Sequence, residues 1–356
     1  MLPERRSTDN RSPRAKRVIF GANVSGQSVF LACVLIVGAG VAGYILFAET
    51  LGRATAAPND IKLENIPFDG AQAYEYLKQL CDLGPRPPGS QAMLAQQKLL
   101  IDYFQKLGAT VIKQEFRGRD PLSGAALPMT NLIIQWHPDR KERVLLCAHY
   151  DTRPFPDHDR RNPRGRFVGA NDGASGVAVL MELGKAMPKF SGPYGVDFVL
   201  LDAEDLTYWD LTSGVNTGNF CVGSEYFARM YAADPPPYKY RAAVLLDMVG
   251  GINLRLPKEG HSVAWADSNP ITSGIWDTAA RLKVREFIPQ VMGDITDDHV
   301  MLHDLGGIPA CDIICDFGPQ TSYPQWHTQD DDPAHCSPLS LAKVGWVLTE
   351  WLKSLK

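Results

Sequence analysis

From residue 69 onward the chain alternates two apolar patterns. Continuous apolar runs of strand length are separated by stretches whose apolar residues return every three or four positions. RVLLCAHYD (143–151), VDFVLLDAED (196–205), RAAVLLDMVGG (241–251) and IPACDIICDFG (308–318) read as strands. GASGVAVLMELGKAM (173–187), VGSEYFARMYA (222–232), ITSGIWDTAARLK (271–283) and residues 337–356 read as helices, the last with Ser337 as N-cap and Pro338 in its first position. Ahead of them, residues 69–84 predict a helix that stops at Gly84. The prolines of GPRPPGS (84–90) predict a turn, and Ser90 caps a second helix with Leu100, Phe104 and Leu107 on one face, ending at Gly108.

Apolar strands with no polar alternation are buried on both faces, and helices between them supply the cover. The pattern therefore predicts a three-layer α/β/α domain around a mainly parallel sheet. In such sheets ligands bind beyond the carboxyl ends of the strands. Polar residues collect at those ends here. His149 and Asp151 end one strand, Glu204 and Asp205 the next, and Asp247 a third. Asp172 lies in the glycine-rich loop GANDGASG (169–176), Asp297 follows Gly293, and His327 follows the last strand in YPQWHTQDDD (323–332). One carboxylate at a strand end is ordinarily a turn former or a helix cap. Ligand-type residues gathered at one rim point instead to a shared cation.

Imidazole nitrogen and carboxylate oxygen without thiolate suit zinc in a catalytic site, where it acts as a Lewis acid or activates water. Other chemistries lack their signatures. There is no G-x-S-x-G elbow, no G-x-G-x-x-G after a strand, and GANDGASG lacks the Lys-Ser/Thr of a phosphate loop.

The first 67 residues have a different character. Residues 1–17 hold six basic and two acidic side chains, so the remainder carries −8 of a chain whose net charge is −4. That balance argues against non-specific nucleic-acid binding. Val29–Ala48 has no charged residue and is long enough to span a bilayer, which takes about 20 apolar residues. Residues 1–28 are thus expected as a basic cytoplasmic N-terminus, 29–48 as a transmembrane anchor in the lipid bilayer, 49–67 as a linker and 68–356 as the catalytic domain. The basic flank puts the domain on the extracytoplasmic side, periplasmic or lumenal. Six cysteines lie beyond the anchor without zinc-finger spacing, and Cys147, Cys311 and Cys315, in strand-like runs, are expected as buried free thiols.

The set HYD, GANDGASG, the strand ending in AED, LLDMVGG and WHT followed by acids resembles the zinc aminopeptidase-like fold over roughly residues 68–356. That resemblance implies a mixed, mostly parallel central sheet. Within the fold, Trp326-His327-Thr328 with Asp330-Asp331, and DDHVMLHDLGGIP (297–309), resemble the animal-type, zinc-dependent glutaminyl-peptide cyclotransferases. The likeness implies Asp172, Asp205 and His327 as zinc ligands, Glu204 as general acid/base, Asp247 and Asp297 as its hydrogen-bonded carboxylate partners, and Trp326 and Trp209 as pocket walls. The substrate implied is the N-terminal glutamine of a peptide or protein, cyclised to pyroglutamate with release of ammonia. One zinc is expected. A second, held by His149 and Asp247 with Asp172 bridging, would make the chain a two-zinc aminopeptidase instead, and a decayed site would leave a tethered binding domain. The chain departs from the family pattern in Asp205, where Glu is usual, in Asp312, where cyclases often carry histidine, and in lacking the disulfide beside HYD.

Overall fold

A computed structural model describes residues 61–210 and 214–356. The basic N-terminus, the apolar span 29–48 and most of the linker fall outside the described residues, among which no helix is long and apolar enough to cross a membrane.

Two helices open the domain, α1 (Gly70–Asp82) and α2 (Gln91–Lys106). The Asp69 carboxylate accepts from Gln72 N at 2.9 Å and Ser90 Oγ from Met93 N at 3.1 Å, satisfying N–H groups that a first turn leaves free. Gly84 and Gly108 stop them with φ of +89° and +92°. The chain continues through β1 (Thr110–Arg119), β2 (Ala126–Trp136), β3 (Glu142–His149), α3 (Ser175–Gly184) and β4 (Gly195–Leu201). A small hairpin follows, β5 (Thr207–Asp210) and β6 (Val215–Gly218), then α4 (Val222–Ala233), β7 (Lys239–Asp247), β8 (Leu256–Lys258), α5 (Gly260–Ala264) and α6 (Asn269–Arg281). The last elements are β9 (Phe287–Val291), α7 (Asp298–Asp304), β10 (Ala310–Ile314) and α8 (Pro338–Ser354).

The main sheet runs β1-β2-β4-β3-β7-β10. β4, β3, β7 and β10 are parallel, and β1 and β2 join one edge antiparallel. The antiparallel pair is absent from the expected strand set for a physical reason. β1 reads TVIKQEFRGR and is largely exposed, so it carries no continuous apolar run, and its charges protect a free edge from mispairing.

Side-chain alternation divides the core. Val144, Leu146, Phe198, Val244 and Ile313 point to one face, under α1, α2, α3 and α8. Leu145, Cys147, Val199 and Leu245 point to the other, where they meet Phe227 of α4 and Leu302 of α7. All six cysteines among the described residues are buried and free, including Cys147, Cys311 and Cys315.

The two ends of the parallel strands differ. At the amino ends Arg143 and Asp197 form a fully buried ion pair, and Tyr240 Oη donates to Asp197 Oδ2 at 2.6 Å, so the charges there are closed off. The carboxyl ends gather carboxylates in excess.

Candidate metal and acid/base site

β3 delivers His149 and β7 delivers Asp247 as their last residues. Glu204 and Asp205 follow β4 by three and four positions, and Asp172 lies in the loop before α3. The Asp297 carboxylate caps α7, and His327 comes in the segment after β10. All seven lie at one rim.

Buried carboxylates fix the loops that carry them. Asp151 accepts from the backbone N–H of Glu204 at 3.1 Å and of Asp205 at 3.2 Å, so the two neighbours are held side by side. Asp331 accepts from Asn171 N at 2.7 Å, Asp172 N at 3.1 Å and Tyr323 Oη at 2.7 Å. Of the acid run after His327, then, Asp331 is structural, Asp330 pairs with Arg161 at 2.8 Å, and Asp332 caps a short turn. Gly173 holds φ at +94°, and a Cβ there would stand 2.3 Å from the Asp151 carbonyl oxygen. Ala203, Cys221, Met248 and His327 all take left-handed φ between 48° and 60° around the rim. Such backbone costs about 1–3 kcal/mol per residue and collects where side chains must be aimed.

Two triads share Asp172. His327 Nε2 lies 3.4 Å from Asp172 Oδ2 and 3.7 Å from Asp205 Oδ2. His149 Nε2 lies 3.2 Å from Asp172 Oδ1 and 3.1 Å from Asp247 Oδ1. Each set brings three ligand atoms within 4.8 Å of one another. They differ in satisfaction. Asp205 Oδ2 is buried and has no hydrogen-bond partner, whereas both carboxylates facing His149 are within hydrogen-bonding reach of its Nε2. A buried carboxylate oxygen without a partner, facing an imidazole and a second carboxylate, fits a divalent cation such as zinc.

The electrostatics separate the groups by role. Burial and the Arg153 charge pull His327 down to about 4, against Asp172, which keeps the imidazole neutral as a ligand must be. Burial would lower His149, but Asp151, Asp172 and Asp247 outweigh it and raise the imidazole well above its ordinary value. Glu204 is pushed well above the usual carboxylate range by burial, then by Asp205, with Asp297 adding. Burial and the adjoining Asp205 outweigh Asp297, one of the two carboxylate partners the resemblance implies. Asp247 is itself pushed up to about 7, by burial first, with Asp297 and Asp172 adding against the pull of His149.

A cavity of about 70 Å³ opens between Asp172, Glu204, Asp205, Asp247, Asp297 and His327. Phe220, Phe317 and Trp326 line it, and Trp326 stacks on His327 at 4.0 Å between centroids. Trp209 does not line it. Tyr208 is the buried side of β5, so Trp209 faces outward and is 41% exposed. Phe220 stands on the wall instead.

Sequence reasoning also missed Arg153 and Asp157. Both are buried, the guanidinium pairing with Asp205 and, through Nε, with Asp157 Oδ1 at 2.9 Å. The available signal was an Arg four residues before an Asp, in the proline-rich stretch that follows the first strand-end ligands. Asp312 and His299 lie behind the rim. The Asp312 carboxylate has no hydrogen-bond partner, and His299 Nδ1 approaches it at 3.8 Å.

Residues 131–352 match the model of peptidase family M28. The solved glutaminyl cyclase of Fimbriiglobus ruber superposes with a TM-score of 0.75 at 38% identity, covering 84% of this chain and 99% of that one. A leucine aminopeptidase precursor from Bacteroides thetaiotaomicron superposes at 0.73 with 34% identity, covering 82% and 99%. The glutaminyl-peptide cyclotransferase-like protein of Bos taurus is 24% identical over 301 residues, 75% of this chain and 71% of the bovine protein. The chain belongs to peptidase family M28, and glutaminyl cyclases are among its relatives in both sequence and fold.

Proposed function

We propose that the chain is a zinc-dependent glutaminyl-peptide cyclotransferase, an acyltransferase that converts N-terminal glutamine to pyroglutamate and ammonia. The observation that carries the reading is the small cavity in which three aromatic rings face Glu204 beside the Asp172–Asp205–His327 set.

Asp172, Asp205 and His327 would hold the zinc. Bound there, it would supply Lewis-acid polarisation of the side-chain amide carbonyl. Phe220, Phe317 and Trp326 enclose the glutamine side chain and exclude water from it. Glu204, whose carboxylate is made more basic by burial, takes a proton from the substrate α-amine as its nitrogen attacks the amide carbon. The same proton goes to the departing nitrogen, which leaves as ammonia when the old carbon–nitrogen bond breaks. General acid/base transfer of this kind is worth about 10²–10⁴ in rate. Burial and the adjoining Asp205, with Asp297 adding, keep the proton affinity of Glu204 high.

A second reading has its own support. His149, Asp172 and Asp247 form a second ligand triad, which would serve a two-zinc aminopeptidase with Glu204 activating water. The one-zinc reading is favoured because His149 Nε2 is already hydrogen-bonded to Asp247 Oδ1, while Asp205 Oδ2 lacks a partner. Purified chain supplied with glutaminyl and leucyl peptides, with metal measured on the same sample, decides between them. Ammonia release with one zinc is expected; free leucine with two zincs would overturn the assignment. The apolar span Val29–Ala48 is read as a membrane anchor holding the domain on the extracytoplasmic side. In sealed vesicles with the cytoplasmic face outward the domain should resist added protease until detergent is present, and digestion without detergent would refute that orientation.

A further inference from the structure

Arg153 is one of the largest side chains completely enclosed by the protein, 2% exposed, and it touches two of the residues assigned to zinc. Its Nε and Nη2 bind the two oxygens of Asp157 at 2.9 and 3.2 Å. That bidentate grip fixes the plane of the guanidinium, and Asp157 is itself anchored by the backbone N–H of Trp209. Nη1 is thereby turned onto Asp205 Oδ1, with His327 Nε2 at 3.4 Å. The Phe220 ring covers the group from the cavity side, 5.7 Å from its Cζ.

The pairing divides the Asp205 carboxylate. Oδ1 belongs to the guanidinium, and Oδ2 is left without a partner, 3.7 Å from His327 Nε2. An aspartate held this way cannot turn its occupied oxygen toward a cation. A charge pair serving stability alone would be complete with Asp157. The additional link falls on the Asp205 carboxylate, whose other oxygen has no hydrogen-bond partner. We propose that Arg153 is a positioning residue of the metal site, which, clamped by Asp157, holds Asp205 as a one-oxygen ligand aimed at the space shared with Asp172 and His327. The inference rests on the reading of Asp205 as a zinc ligand.

The consequence falls on metal affinity, whatever the substrate. Groups that orient ligands from behind typically contribute about 10–100-fold to metal binding. The guanidinium charge acts in the opposite direction, because it repels a cation, so the sign of the effect is itself a test. The experiment is zinc titration of the full-length chain against a chromophoric chelator, with thermal melts to verify folding. Arg153→Met is expected to weaken zinc binding about 10–100-fold. Arg153→Lys keeps a charge and one donor for Asp205 and should recover part of that loss. Asp157→Asn, which releases the clamp while keeping the shape, should also weaken binding and carries the comparison if Arg153→Met does not fold. Wild-type or tighter zinc binding in Arg153→Met, or in Asp157→Asn where the methionine variant is unfolded, would overturn the proposal. Asp205→Asn separates the two layers of the argument. If it loses zinc while the Arg153 and Asp157 variants do not, the positioning role alone falls. If it binds zinc normally, the ligand assignment falls and the positioning role with it.

Discussion

Replacing Glu204 by glutamine tests the proposed chemistry at its narrowest point. The side chains are isosteric, so the cavity keeps its shape, and the backbone at 204 stays fixed through Asp151. Only a proton acceptor is removed. General acid/base catalysis contributes about 10²–10⁴ in rate, which is about 3–5 kcal/mol of barrier. Ammonia release from a glutaminyl peptide should therefore lose that factor in kcat, with KM little changed, because the aromatic walls remain. Stability should not fall. The glutamate carboxylate has 12% of its side chain accessible and is raised well above its ordinary range by burial, so a neutral amide removes a desolvation cost. Zinc content should stay at the wild-type value. A variant that keeps kcat within about 10-fold of the parent refutes Glu204 as the proton carrier. A variant that loses its zinc refutes the division of labour between Glu204 and Asp205.

Two further outcomes follow from the same geometry. Gly173→Ala puts a Cβ 2.3 Å from the Asp151 carbonyl and 3.2 Å from His149 Cε1, at a φ of +94°. It should cost about 1–3 kcal/mol in chemical unfolding and weaken zinc binding through the adjoining Asp172; wild-type values for both would show the loop to be unconstrained. Glu259 is buried and accepts from the N–H groups of His261, Ser262 and Ile295 and from His299 Nε2 at 3.1 Å. Burial raises its carboxyl, but His299 and the backbone donors outweigh that and bring it from 4.5 to about 2. A depressed folded value gives stability that is whole above about pH 4.5 and is lost as pH falls toward 2; the depression is worth about 3 kcal/mol. In urea titrations the stability gap between wild type and Glu259→Gln should narrow by that amount over this window, and a gap that stays constant would remove the assignment.

The rim was legible in the sequence because fully buried parallel strands have no alternation, so their polar residues can appear only where the strands end. His149, Glu204, Asp205 and Asp247 were readable for that reason. The edge hairpin β1–β2 was not, since a half-exposed strand such as TVIKQEFRGR has no apolar run to mark it. Trp209 shows how one residue of register inverts a prediction: in an extended hairpin Tyr208 is buried and its neighbour faces water. Arg153 was invisible for another reason. A search for metal ligands passes over cations, and only the fold brings its guanidinium to Asp205.

The six enclosed thiols carry a practical consequence. A core that contains Cys147, Cys221 and Cys315 as unpaired sulfhydryls, with no crosslink among the described residues, can mature without an oxidant. Burial raises these three thiols far above ordinary cysteine, which suppresses the reactive thiolate while the domain stays closed. Each sulfur is then a built-in reporter of breathing, since an alkylating reagent can reach it only when the surrounding layer opens. Labelling rates at Cys221, next to Glu204, against those at Cys147, in the sheet, would measure how much more readily the catalytic rim loosens than the scaffold beneath it.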